Sequence, residues 1–192
     1  MPESLFGADF QAVYGGVAAA YPSPADWRDL PIYFLMVDRF NNPVSPPVHA
    51  PFDDPSFSGF QGGSFSGVRK ALGYIKRLGA GAIWLSPVLK NLPFRDDAYH
   101  CYGIHDFLHA EPRFASVPEA ADDELRALVD AAHAEGLYVI LDIVLNHTGD
   151  VFAYAADPMT FQSSPQPVRW RDDSAVNAAP ERPRLAKGTA AE

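Results

Sequence analysis

Apolar positions along the chain alternate between short unbroken runs and longer amphipathic stretches. Residues 32–37 (Ile-Tyr-Phe-Leu-Met-Val) are continuously apolar, the pattern of a strand buried on both faces. Residues 66–78 set Val68, Leu72, Ile75 and Leu78 on one stripe, with Arg69, Lys70, Lys76 and Arg77 mostly off it. That spacing predicts a helix, and Gly79 supplies its stop. A second apolar strand at 82–85 ends at Ser86-Pro87. Ser116 and Glu119 then have capping-box spacing, and Asp122, Asp123 and Glu124 put negative charge near the positive end of a second helix. Its buried stripe is Leu125, Leu128, Val129 and Ala132, and Gly136 closes it. Residues 138–144 read as a third apolar strand. Strand–helix–strand–helix–strand order with crossovers this long implies parallel pairing and right-handed connections. The fold class is α/β.

The periodic signal is confined to residues 31–147. Residues 1–30 read as an N-terminal extension with an Ala-Gly stretch and the turn-rich Tyr21-Pro22-Ser23-Pro24, and residues 148–192 are rich in Pro, Ala and Asp with no clear period. Two connections, 38–65 and 87–115, exceed the few residues a strand–helix link needs, and long loops in compact domains are often functional. Asp38-Arg39, Ser86-Pro87 and Asn146-His147 all follow predicted strand ends. In a parallel architecture they therefore share the face where ligands bind.

Composition narrows the function classes. The chain has 192 residues, with 15 Lys and Arg against 24 Asp and Glu and a net charge of −9. That balance argues against a nucleic-acid surface, which needs clustered basic residues, and leaves neutral substrates such as sugars open. No run approaches the roughly 20 apolar residues of a membrane span, so no membrane partner is expected. Cys101 is the only cysteine, so no internal disulfide forms. The Met1-Pro2-Glu3-Ser4 start has no signal-peptide character. The expected compartment is the cytoplasm, with export left open because Met1 need not be the native terminus. Oligomeric state is not legible.

Two segments carry candidate chemistry. In Asp142-Ile143-Val144-Leu145-Asn146-His147, strand alternation puts Asp142, Val144 and Asn146 on one side. A carboxylate in an apolar strand requires a cation or donors from the rest of the fold. The Asn146 oxygen suits a hard cation such as calcium, and His147 can donate to a hydroxyl. A satisfied core Asp followed by an Asn-His turn explains the same pattern. In the second segment, 99–107, the Tyr99, Tyr102 and Phe107 rings and the imidazoles of His100 and His105 fit either sugar stacking with hydroxyl recognition or a loop packed on the core. His105 and His109, with Cys101 four residues earlier, have the spacing of helix-borne metal ligands, without an HExxH pattern.

Other segments close off alternatives. The glycine-rich 61–67 lacks the GK[ST] ending of a phosphate loop. Ser86 lies in no GxSxG elbow. The aromatic cluster Phe52, Phe57, Phe60 and Phe65 reads as local packing, or less simply as sugar stacking.

Taken in order, Asp38-Arg39-Phe40, Gly62-Gly63 before a helix, Trp84-Leu85-Ser86-Pro87, Tyr99-His100-x-Tyr102-Gly103 with Asp106, and Asp142-x-x-x-Asn146-His147 resemble the N-terminal part of the α-amylase family (glycoside hydrolase family 13). The resemblance spans roughly residues 30 to 150. It implies a partial TIM (β/α)8 barrel, the first three β/α units, followed at 148–192 by the start of an irregular domain inserted after strand three. By resemblance, Tyr102 stacks under the sugar whose bond is cut, and His100 and His147 bond to its hydroxyls. Asp142 holds the catalytic arginine and nucleophile region, and Asn146 binds a structural calcium where that ion is present. Asp38 and Arg39 are implied to be structural.

The implied substrates are α-glucans and maltooligosaccharides, hydrolysed or transglycosylated with retention. Retaining glycosidases need two carboxylates only ~5 Å apart, and the family's nucleophile motif, Gly-x-Arg-x-Asp-x-x-x-His, does not occur here. Arg169-Trp170-Arg171-Asp172-Asp173 lacks the glycine, the apolar strand and the following His. The 192 residues are thus expected to be catalytically inert alone. Phe34, Met36 and Trp84, facing an incomplete barrel interior, are expected to cause poor solubility, self-association or molten behaviour. A noncatalytic carbohydrate-binding or regulatory remnant, and a small metal enzyme built on Cys101, His105 and His109, are the other readings.

Overall fold

A computed structural model describes residues 21–44, 59–92, 96–149, 151–154, 168–170 and 184–185. The chain divides into two units, Met1–Leu30 and Pro31–Glu192. In the first, Trp27–Asp29 forms a 3-10 turn capped by Asp26, whose side chain accepts from the Arg28 amide.

The second unit is built on a parallel sheet. Strands β1 (Ile32–Leu35), β2 (Ala82–Leu85) and β5 (Tyr138–Leu141) lie in the order β1-β2-β5. Leu35 pairs with Leu85 and Leu85 with Leu141, so the three carboxyl ends are level. The outer strands are shorter than the apolar runs predict. β1 gives way at Val37 to a helical turn, α1 (Val37–Phe40). β5 stops before Asp142, whose amide makes a last 3.3 Å bond to the Leu85 carbonyl. Beyond Leu85 the central strand turns into Ser86-Pro87, and Pro87 has no N–H to continue a ladder.

One face of this sheet is covered. The predicted first helix forms as two, α2 (Phe65–Lys70) and α3 (Leu72–Arg77), joined at Ala71. Ser64 caps α2 by accepting from the Gly67 amide. The second helix is α4 (Ala121–Ala134). Val68, Leu72, Ile75, Leu128 and Ala132 from these helices pack with Leu35, Ile83 and Leu85 in one core. On the opposite face Ile32, Phe34 and Trp84 are 47, 48 and 40 % exposed. Burial on both faces, predicted from the continuous run, is thus not met among the described residues. The Phe34 and Trp84 rings meet edge to face at 5.3 Å on this open side.

The capping box forms differently from its spacing. Pro118–Ala120 makes a 3-10 turn that delays α4 to Ala121. The Ser116 amide and hydroxyl both donate to Glu124, not to Glu119. Proline pre-sets the first turn, and the acid that reaches back is then one turn further on.

The 87–115 connection is not a plain loop. It contains an antiparallel hairpin, β3 (Leu89–Asn91) with β4 (Ile104–Ala110). A second, three-stranded antiparallel sheet, β6 (Phe152–Tyr154), β7 (Val168–Trp170) and β8 (Arg184–Leu185), occupies the stretch that has no apolar period. Phe52 and Phe57 lie outside the described residues, whereas Phe60 and Phe65 pack around Phe114 at 6.2 and 5.6 Å. No helix among the described residues is long and apolar enough to cross a membrane.

Candidate functional site

The level carboxyl ends of β1, β2 and β5 bring three loops to one side of the sheet. After β1, Asp38 is 1 % exposed. Its carboxylate accepts from the Gln61 amide at 2.8 and 2.9 Å and the Gly62 amide at 3.1 Å, and pairs with Arg39. Burial pushes this carboxyl up, against the pull of those amides and of Arg39. The adjoining Gly63 amide donates to the Asp38 carbonyl at 2.8 Å. A Cβ on Gly63 would stand 1.9 Å from the Val37 carbonyl oxygen, so only glycine fits. Asp38 thus ties the β1 loop to the start of α2, a structural role. Arg39 also lies 3.9 Å over the Tyr99 ring, reaching the second loop.

That second loop presents the aromatic segment. Asp96–His100 is a kinked 3-10 stretch. Cys101 follows in a left-handed conformation (φ 58) and turns the chain back into β4. The Tyr102 amide donates to His100 Nδ1 at 3.0 Å, which leaves the proton of neutral His100 on Nε2. The two rings lie 5.8 Å apart at a 31° tilt. Tyr102 is 37 % exposed.

The third loop, after β5, meets this segment. The Tyr102 hydroxyl donates to Asp142 Oδ2 at 3.1 Å. Burial first, then the bond to Asp142 and its charge, push the phenol up from its ordinary value. His147 Nε2 donates to the Tyr102 carbonyl at 3.1 Å. Because a carbonyl only accepts, Nε2 carries a proton, and in the neutral imidazole the lone pair is then on Nδ1. The loops touch at Gly149, whose amide donates to the Ile104 carbonyl at 2.8 Å. A Cβ there would stand 2.5 Å from the Gly103 carbonyl oxygen.

His100, Tyr102, Asp142 and His147 are therefore one cluster, drawn from two loops about 40 residues apart in sequence. Asn146 does not join them. With β5 ended at Leu141, the predicted alternation lapses: Val144 is buried and Asn146 exposed. Calcium takes roughly six to eight oxygens. Among the described residues no group of three or more His, Cys, Asp or Glu is placed to hold a metal ion; calcium at Asn146 rests on the resemblance. The Cys101–His105–His109 reading fails. The two histidines sit on strand β4, not on a helix. His109 bonds Asp122 at 2.9 Å, and burial pushes the Cys101 thiol up to about 12.

Sequence reasoning passed over the residues that support the cluster. Glu111 is 1 % exposed and Asn91 is fully buried. Glu111 accepts from the Asn91 amide at 2.7 Å and from Arg113 Nε at 2.6 Å and Nη2 at 3.0 Å. Arg113 also lies 3.9 Å over the Phe60 ring. The available signal was Glu111-Pro112-Arg113, an acid and a base either side of a proline that opens a turn.

Comparison with known proteins gives the family. The family model described as "Alpha amylase, catalytic domain" matches residues 34–181. An α-amylase of Streptomyces lividans is 41 % identical over 108 residues, covering 53 % of this chain and 11 % of that protein. The periplasmic α-amylase of Escherichia coli K12 is 32 % identical over 154 residues, covering 73 % and 22 %. The crystal structure of the α-amylase from Geobacillus thermoleovorans, complexed with acarbose, superposes with a TM-score of 0.53 at 42 % identity, over 66 % of this chain and 25 % of that one. The chain spans a quarter or less of each of these three relatives. With the family model matched over most of its length, the chain belongs to the α-amylase family of glycoside hydrolase catalytic domains.

Proposed function

We propose that residues 31–147 are the first three β/α units of a (β/α)8 barrel that hydrolyses or transfers α-glucosidic bonds in starch-like oligosaccharides. Residues 148–192 then begin the domain inserted after strand three. The single observation that carries the reading is the convergence of His100, Tyr102, Asp142 and His147 at the carboxyl ends of parallel strands, the face on which barrels of this class bind substrate.

In this reading Tyr102 is the platform under a sugar ring. Its ring stays partly exposed while its hydroxyl is anchored by Asp142, which fixes the ring plane before substrate arrives and lowers the ordering cost of binding. His100 and His147 are then the two imidazoles that meet sugar hydroxyls, as the resemblance implies. Asp142 orients the phenol and, as the resemblance implies, holds the catalytic arginine and nucleophile region in place. The bond-breaking pair, a nucleophile and a general acid whose pKa is raised by its surroundings, lies beyond these 192 residues, which contain no Gly-x-Arg-x-Asp-x-x-x-His motif.

Two measurements test this. The purified chain, free of contaminating amylase, is expected to release no reducing sugar from soluble starch, and appreciable hydrolysis would refute the assignment. Calorimetric titration with maltooligosaccharides is expected to give a binding heat that is lost in Tyr102→Ala. Identical isotherms for the two proteins would remove Tyr102 as the platform.

A further inference from the structure

We propose that Asn91, a buried side chain touching no substrate-facing surface, is a positioning residue that holds the 98–103 turn so that the Tyr102 hydroxyl meets Asp142. The inference rests on the functional reading above only for the name of what is positioned; its geometry stands without a sugar.

The Asn91 side-chain amide sits at the centre of the turn. Nδ2 donates to the Ala98 carbonyl at 3.2 Å, and the same carbonyl accepts from the Cys101 amide at 3.0 Å. On the other side Oδ1 accepts from the Leu92 amide at 2.9 Å. A carbonyl cannot donate and an amide N–H cannot accept, so the orientation of the Asn91 amide is unambiguous. Oδ1 also stands 3.0 Å from where a Cβ on Gly103 would lie, which packs the turn's exit against the same group. From behind, the Asn91 backbone is pinned by Glu111 at 2.7 Å.

The turn needs such a hold. Cys101 is the one non-glycine residue with positive φ among those described, and such a conformation persists only where its surroundings over-determine it. Its neighbours on either side, His100 and Tyr102, are the two site residues this loop supplies. Releasing Ala98 frees Cys101 to return to a common conformation. That swings Tyr102 off Asp142 without unmaking the sheet.

The readout is the ionisation of Tyr102, which burial and then its contact with Asp142 keep high. In protein carrying 13C-labelled tyrosine, the Tyr102 resonance is identified by its loss in Tyr102→Phe. Its titration midpoint in the unaltered chain should lie above the ordinary tyrosine value of about 10. In Asn91→Ala the midpoint is expected to fall towards that ordinary value, as the Asp142 contribution is lost. Asn91→Ser keeps an acceptor for Leu92 but cannot reach Ala98, and should show the same fall. An unchanged midpoint in either folded variant would overturn the proposal. So would failure of both to fold, since Asn91 would then be holding the core and not the turn. No sugar is present in this experiment. If the Asn91 variants show the fall while the unaltered chain binds no maltooligosaccharide, the functional reading alone is overturned.

Discussion

Replacing Glu111 with alanine removes the acceptor for the Asn91 amide and for three donors of Arg113. The two losses weigh differently. Asn91 is fully buried, so its N–H is left without water, at a cost of about 1–3 kcal/mol. Arg113 is 28 % exposed and retains its 3.3 Å bond to the Leu92 carbonyl, so solvent recovers part of what it loses. Together these place the change at roughly 3 kcal/mol, the low end for breaking a buried pair. In equilibrium terms that is on the order of a hundredfold in the opening of the β3–β4 hairpin, since each 1.4 kcal/mol is a factor of ~10. Peptide-resolved hydrogen exchange reads this directly. Protection across β3 and the 96–103 turn should fall about a hundredfold, while β1 and β2 keep theirs. Glu111→Gln, which retains an acceptor oxygen, should lose roughly tenfold. A loss below about threefold in Glu111→Ala, or one spread evenly over the sheet, would refute the claim that this carboxylate locally organises the hairpin.

Two further expectations concern surface and charge. Phe34 and Trp84, about half exposed on the open sheet face, leave on the order of 200 Å2 of aromatic surface in water, worth roughly 5 kcal/mol if covered. The 192-residue chain should therefore self-associate in sedimentation, and Phe34→Ser with Trp84→Thr should shift it towards monomer; a sharp cooperative melt from a clean wild-type monomer would contradict an incomplete barrel. The His109–Asp122 contact, which links β4 to the first turn of α4, gives a pH dependence. The bond to Asp122, then the charges of Asp106 and Asp122, raise His109, while the Ala110 amide and then His109 lower Asp122. The histidine's share of stability is complete below its ordinary value of about 6.5 and is lost as pH rises through the raised folded value. The aspartate's share is complete above its ordinary range and is lost as pH falls through the lowered one. Protection of the Ala110 amide, corrected for intrinsic exchange, should be highest between those ordinary values; a flat profile, or an unchanged one in His109→Gln, would count against the contact.

What the sequence disclosed follows from period. Three apolar runs and two amphipathic stretches were enough for a parallel sheet with helices on one side, because crossovers of that length leave little choice. Strand ends were less legible. β5 stops at Leu141 because its neighbour runs out of partners at Pro87, a property of β2 that the run 138–144 cannot express. The hairpin was hidden for a related reason. Ile104 and Ala110 are buried at its ends, but the residues between them do not alternate, since a register shift interrupts the pairing. Of the cluster, the residue types at 100, 102, 142 and 147 were visible, while their contacts depend on how two distant loops dock at Gly103 and Gly149. Asn91 and Glu111 escaped because a buried polar residue is recognised by its partners, and a linear pattern names none of them.

The placement of Cys101 has a practical consequence. It is the only thiol in the chain, it is fully buried, and its ionisation is pushed up to about 12. Alkylating reagents attack the thiolate, so at neutral pH they act almost solely on molecules in which the turn beneath Tyr102 has swung open. The rate at which iodoacetamide consumes this sulfur is thus a clock for that opening, set in the protein without any engineered label.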